Sequence, residues 1–139
     1  YSISEGRPPE VNLLNEKNNG ETVLNLINKN LIRSAHDVSS GGLITSLSEM
    51  AMSAKLGLKI SKPRKLRNPT EYFFGEDQSR YILEVKNENL DKVQKYLKNN
   101  NIFYEIIGST QKKYFEIEGE MKLDINDLCK INNQWYNNY

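Results

Sequence analysis

The sequence predicts an α+β domain: an α/β sandwich in which helices pack on a mixed, mostly antiparallel sheet. Three observations carry this expectation. Leu43, Leu47, Met50, Ala51 and Ala54 recur at helical spacing and define one face. Shorter stretches alternate with the period of two that marks strands, as in Tyr81, Leu83 and Val85 or Ile102, Tyr104 and Ile106. The two kinds of stretch do not alternate regularly enough for a doubly wound parallel sheet.

In chain order, residues 1–10 are polar, contain Pro8 and Pro9, and read as a linker; residues 11–139 read as one domain. The chain opens at Tyr1, not at Met, and is expected to be the C-terminal piece of something longer. Residues 12–29 form a helix, with Leu13, Leu14, Val23, Leu24 and Ile27 as its stripe and Gly20 weakening its middle. Leu31–Val38 is a short strand. Gly41 and Gly42 lead into the second helix, Gly57 stops it, and Leu58–Ile60 is a strand. Residues 61–69 hold Pro63 and Pro69 among cations and form a loop.

Residues 79–85 form a strand, and residues 88–100 a helix with Leu90, Val93 and Leu97 inward. Strands follow at Ile102–Gly108 and Lys113–Ile117, then a turn at Glu118-Gly119-Glu120 and a strand at Met121–Leu123. Asp124 is a good N-cap for a final helix, Asp127 suits the dipole of its first turn, and Leu123 is placed to staple Leu128. Leu128, Ile131 and Trp135 continue that helix's buried face.

Composition excludes several function classes. Nineteen Lys and Arg balance eighteen Asp and Glu, so a net charge of +1 gives no field that gathers nucleic acid or an anionic membrane. The lone Cys129 excludes an internal disulfide and a cysteine zinc cluster. Mean hydropathy is −0.69, no apolar run approaches a membrane span, and no signal peptide is visible. A cytoplasmic location is expected.

Two segments carry candidate chemistry. The first, Ala35-His36-Asp37-Val38-Ser39-Ser40-Gly41-Gly42, lies where a strand hands over to a helix. Free backbone N–H groups and the positive end of the helix dipole point out of such a turn, and glycines let a ligand's oxygens come close. That is a recipe for phosphate. The same residues also suit a simple helix start capped by Ser39 or Ser40. The second segment, Phe74-Gly75-Glu76-Asp77-Gln78-Ser79-Arg80-Tyr81, places polar groups at the mouth of a strand. Glu76 or Asp77 can accept from a ribose or hold a metal, and Gln78 can read an amide or a base; an acidic turn paired with Arg80 fits equally.

Together, "AHDVSSGGLITSLSEMA" and "FFGEDQSRYILEV" closely resemble the C-terminal domain of the phosphoribosylformylglycinamidine synthase family, synthetase (large) subunit. The upstream "GRPPEVNLLNEKNNGETVLNLI" fits the same family. "HDVSSGG" marks a wider superfamily that includes aminoimidazole ribonucleotide synthetase, and "FGEDQSRY" narrows it. Many members carry an acidic residue where this chain has Ser40. The resemblance implies the fold of the aminoimidazole ribonucleotide synthetase C-terminal domain, and ATP and Mg2+ as cofactors of the full enzyme. It implies a ligase that converts formylglycinamide ribonucleotide to its amidine with ammonia from a glutaminase subunit or domain. The remaining domains of the synthetase chain are the other implied partners. It places phosphate contacts at Asp37, Ser39, Ser40, Gly41 and Gly42 and substrate or nucleotide contacts at Glu76, Asp77 and Gln78. It assigns no catalytic residue and no metal ligand to this domain, which is then expected to bind nothing tightly and to be inactive alone.

His36 reads as a hydrogen-bonded structural histidine, and Cys129 as a small packed residue. The basic run from Lys59 to Arg67 lacks interleaved aromatics and reads as a solvated loop. Competing functions are another ATP-using member of the superfamily, such as a selenophosphate or thiamine phosphate enzyme, and a non-enzymatic binding module built around residues 59–67.

Overall fold

The computed structural model describes residues 9–61 and 68–137. Five helices and six strands follow in the order α1 (Leu13–Asn28), β1 (Ser34–Asp37), α2 (Gly42–Ala54), β2 (Gly57–Ile60), α3 (Pro69–Phe74), β3 (Tyr81–Glu84), α4 (Asn87–Asn99), β4 (Gly108–Gln111), β5 (Tyr114–Ile117), β6 (Met121–Asp124) and α5 (Ile125–Asn137). The expected α+β class holds, and so does the mostly antiparallel pairing. The strands form two sheets, however: a β1-β3 pair and a four-stranded sheet ordered β4-β2-β5-β6. Among the described residues, only β2 and β5 pair in parallel. The proposed linker falls almost wholly outside the described residues, as does the basic run beyond Ser61.

Two cores hold the layers. The larger joins Leu43, Leu47 and Ala51 of α2 to Ile60, Phe115 and Ile117 of the sheet, to Phe73 of α3 and to Ile125 of α5. The smaller joins Leu26 of α1 to Val93 and Leu97 of α4, with Leu83 and Val85 against it.

Several expectations need correction. The stripe assigned to α1 is mostly outward: Leu13 is 76 % exposed, and Leu14, Leu24 and Ile27 are exposed too. α1 instead buries Thr22 and Leu26. Its docking face is set by polar contacts on the same helical series. Asn19 donates to the carbonyl and hydroxyl of Ser79 at 3.0 and 2.8 Å, and Glu16 accepts from the Tyr81 hydroxyl at 3.2 Å. α2 ends at Lys55 in the left-handed region (φ 51°), before Gly57. Gly57 is needed inside β2, where a Cβ would lie 2.2 Å from the Tyr114 carbonyl oxygen.

A short helix, α3, is unexpected and takes Pro69 from the loop read over residues 61–69; Asn68 caps it by accepting from the Thr70 and Glu71 amides, with Pro69 in its first turn. The strand expected at 102–108 is absent, and β4 begins only at Gly108. Asp124 does cap α5, its Oδ1 accepting from the Asn126 amide at 2.9 Å. Beyond the first turns α5 turns outward, leaving Ile131 66 % and Trp135 62 % exposed, while Ile125 and Leu128 carry its packing. The Ile125 amide donates to the Lys113 carbonyl, which anchors only the helix start. Among the described residues, no helix is long and apolar enough to cross a membrane.

Candidate functional site

The two segments singled out from sequence meet in space. β1 ends at Asp37, and the next amide, that of buried Val38, donates to the Arg80 carbonyl just ahead of β3. The chain then reverses through Gly41 (φ 82°) and Gly42 (φ 70°), a conformation that costs other residues steric energy. Gly42 is wedged against the second segment: a Cβ there would lie 2.6 Å from the Phe74 carbonyl carbon and 2.9 Å from the Gly75 oxygen. Ser46, fully buried in α2, donates to the Asp37 carbonyl at 3.1 Å and locks the helix to the strand end.

The simple reading of a serine-capped helix start does not hold. No serine caps α2. The Gly41 amide, which a phosphate would need, donates to Glu76 Oε1 at 2.7 Å. A carboxylate from the other segment therefore occupies the positive end of α2. The glycines turn Ser39 and Ser40 outward, to the rim of a cleft of about 310 Å3.

Asp37, Ser39, Ser40, Glu76 and Gln78 line that cleft, as do Glu16, Ser79, Arg80 and Tyr81. Gly41, Gly42 and Asp77 are not among the lining residues; Gly41 reaches it only through its amide's bond to Glu76. Asp77 pairs with Arg80 at 3.5 Å, as an acidic turn would. Arg80 also donates to the Gly75 and Tyr72 carbonyls, which closes the C-terminal end of α3. Ser79 holds a positive φ of 65°, stabilised by the two bonds from Asn19. One oxygen of Glu16, Oε2, is shielded from solvent with no hydrogen-bond partner among the described residues. Burial, with Glu16 as its hydrogen-bond acceptor, pushes the Tyr81 phenol above its ordinary range.

Sequence reasoning missed Glu16 and Asn19, because nothing in α1's own pattern marks them as contacts of a strand sixty residues away. It also missed Ser46, whose spacing from Gly42 looks like ordinary helix filler. His36 lies outside the cleft, its Nε2 3.2 Å from Glu49 Oε2 of α2, as a structural histidine would be. Cys129 packs at the margin of the larger core. Lys59 of the basic run pairs with Glu118 at 3.0 Å. Among the described residues, no three His, Cys, Asp or Glu side chains converge to hold a metal ion.

Comparison with known proteins agrees with this architecture. Residues 2–118 match the family model described as AIR synthase related protein, C-terminal domain. The phosphoribosylformylglycinamidine synthase subunit PurL of Pelagibacter ubique is 47 % identical over 134 residues, which cover 96 % of this chain and 18 % of that protein. Thus the chain spans under a fifth of the length of this relative. Among solved structures, Thermotoga maritima PurL complexed with FGAR aligns with a TM-score of 0.69 at 18 % identity, covering 82 % of this chain and 21 % of the other. The same protein complexed with ATP aligns with a TM-score of 0.69 at 16 % identity, covering 81 % and 21 %. At such identities the likeness concerns the fold. With 117 consecutive residues matched by the family model, the chain belongs to the AIR synthase related C-terminal domain family.

Proposed function

We propose that this chain is the C-terminal domain, from residue 11 onward, of the synthetase subunit of a phosphoribosylformylglycinamidine synthase. That enzyme is a cytoplasmic C–N ligase of de novo purine biosynthesis. It activates the amide oxygen of formylglycinamide ribonucleotide with ATP, and ammonia released from glutamine displaces that oxygen as phosphate. The amidine, ADP and inorganic phosphate result. The observation that carries this reading is 47 % identity across 96 % of the chain to a subunit of that name. The remaining domains of the synthetase chain and a glutaminase subunit or domain are the partners, and the domain is inactive without them.

Within that enzyme the cleft serves as a binding wall, with no catalytic group. Glu16, Asp37 and Glu76 supply its acceptors, beside Arg80 and the hydroxyls of Ser39 and Ser40. Such a lining suits the hydroxyls of a ribose and the N–H groups of a glycinamide. The turn at Ser39–Gly42 admits phosphate only if Glu76 releases the Gly41 amide. ATP and Mg2+ work elsewhere in the complete enzyme.

The test is Glu76→Gln in the full-length synthase, because the amide keeps an acceptor for Gly41 and removes the charge. Replacing a charge-assisted bond by a neutral one costs about 1 kcal/mol, so KM for formylglycinamide ribonucleotide should rise roughly fivefold with little change in kcat. A lower KM would show that the site holds phosphate, and an unchanged KM would remove the cleft from substrate binding.

A further inference from the structure

Asn19 stands behind the cleft wall: it does not line the cleft, yet it grips the strand entrance that does. That entrance is a turn made by Gln78 and Ser79. Its two ends are tied elsewhere. Glu76 is held by the Gly41 amide, and the Arg80 carbonyl accepts from the Val38 amide. Between these anchors the Gln78 side chain lines the cleft, exposed and with no hydrogen-bond partner among the described residues. Its aim is therefore set by the backbone of its neighbour.

That neighbour is strained. Ser79 sits at φ 65°, a turn position that glycine or asparagine ordinarily fills. The Asp77–Arg80 ion pair spans the same turn, but its Asp77 side chain is 64 % exposed, and such a pair holds little. The side-chain amide of Asn19 holds more. It donates to the Ser79 carbonyl at 3.0 Å and to the Ser79 hydroxyl at 2.8 Å, so one group fixes both the main chain and the side chain. Three residues earlier on the same helix, Glu16 accepts from the Tyr81 hydroxyl at 3.2 Å. The two contacts straddle Arg80 and clamp the strand entrance to α1. A strained residue persists only where its surroundings over-determine it, and such residues gather at binding sites.

We propose that Asn19 is a positioning residue of the cleft: by holding Ser79 in the left-handed region, it presents the Gln78 carboxamide to the substrate. This role rests on the cleft being a substrate wall, as proposed above. Asn19 touches no ligand itself. Its effect reaches the cleft through Ser79 and then Gln78.

Kinetics of the full-length synthase with varied formylglycinamide ribonucleotide test this. Gln78→Ala should raise KM about fivefold, the worth of one ordinary hydrogen bond, at nearly constant kcat. Asn19→Ala should raise KM at least about threefold, again with little change in kcat. Alanine is at home in a helix, so α1 persists in that variant. The double variant should be no worse than Gln78→Ala alone, because a residue that acts through Gln78 adds nothing once Gln78 is gone. Ser79→Gly supplies a second arm: glycine takes the left-handed region unaided, and in that background Asn19→Ala should move KM by less than about twofold. A lower melting temperature with unchanged KM in Asn19→Ala would mark a merely structural contact and overturn the proposal. So would factors that multiply in the double variant, or a full Asn19→Ala effect in the Ser79→Gly background. If only Gln78→Ala raises KM, the substrate reading of the cleft stands and the positioning role alone fails; if neither variant raises it, both fall.

Discussion

Replacing Gly42 by alanine should be among the most damaging single-methyl changes in the domain, and worse than the same change one residue earlier. Two costs combine at Gly42. Its φ of 70° puts an L residue in the left-handed region, which costs about 1–2 kcal/mol. The added Cβ also meets backbone, 2.6 Å from the Phe74 carbonyl carbon and 2.8 Å from its Cα, where nothing can rotate away. Forcing main chain apart in a packed site costs roughly a further 1–3 kcal/mol. The total, about 2–5 kcal/mol, is a large share of an ordinary domain's stability. At Gly41 the conformational cost is the same in kind, but the collision is with one side chain, Oγ1 of Thr45 at 2.2 Å and its Cβ at 2.9 Å. The hydroxyl can leave by a χ1 rotation, at the loss of its bond to the Gly41 carbonyl, and only the Cβ contact then has to be relieved by a small shift. Gly41→Ala should therefore cost only about 1–3 kcal/mol, and combining it with Thr45→Ala should recover part of the loss. Urea unfolding followed by circular dichroism measures all three variants. A Gly41→Ala variant less stable than Gly42→Ala would refute the reasoning, because it would mean that the second segment does not press on the turn.

Other outcomes can be measured. Burial, with the Glu105 carboxylate adding to it, pushes the Tyr72 phenol up to about 12. The unfolded chain then gives up this proton near pH 10 while the folded one keeps it. Stability owed to Tyr72 is thus intact below pH 10 and falls as the pH climbs toward 12; Tyr72→Phe should flatten the alkaline limb of a midpoint-against-pH curve, and parallel curves would contradict the assignment. The Asn126 amide and, less strongly, Lys113 hold the Asp124 carboxyl below its usual range. Asp124→Ala should lower the melting temperature at neutral pH, and that deficit should shrink as acid protonates Asp124 in the native protein; a deficit that persists unchanged in acid would argue against the cap. Titration calorimetry on the 139-residue chain with ATP, ADP or formylglycinamide ribonucleotide should give affinities near millimolar or weaker. A few hydrogen bonds of roughly 1.5–3 kcal/mol barely offset an association cost of about 4–15 kcal/mol. A submicromolar, stoichiometric isotherm would sink that claim.

The parts of the fold legible in the sequence are those where one local pattern decides. The face Leu43, Leu47, Ala51 is buried as read, and Val93 and Leu97 point inward from α4. Asp124 caps as its chemistry demands. Where a remote contact competes with the local pattern, the pattern misleads. Four exposed apolar residues of α1 outnumber its one buried apolar residue, Leu26, because Asn19 and Glu16 fix its orientation through Ser79 and Tyr81. The cleft was half legible for the same reason. Segment composition picked out Asp37, Ser39, Ser40, Glu76 and Gln78, which do converge. It had no means of showing that Glu76 would take the Gly41 amide, an outcome that depends on two stretches thirty-five positions apart being pressed together at Gly42. The pairing of Asp77 with Arg80, three residues apart, was by contrast legible as an acidic turn.

The parallel pairing of β2 with β5 has a consequence for how the chain is made. Leu58 lies beside Phe115, and on β2's other edge Gln111 of β4 donates to the Leu58 carbonyl across 53 positions. Ile60 thus cannot enter the larger core until Phe115 and Ile117 have been synthesised. Local helices can flicker into existence early, but closing so wide a loop must precede any reward from the sheet. During translation, α2 would emerge with Leu43, Leu47 and Ala51 uncovered and remain so for several seconds at ordinary elongation rates. The domain is thus one whose nascent form, more than its finished form, calls on chaperones, and slowing synthesis between residues 60 and 115 should lower its soluble yield more than slowing it after residue 125.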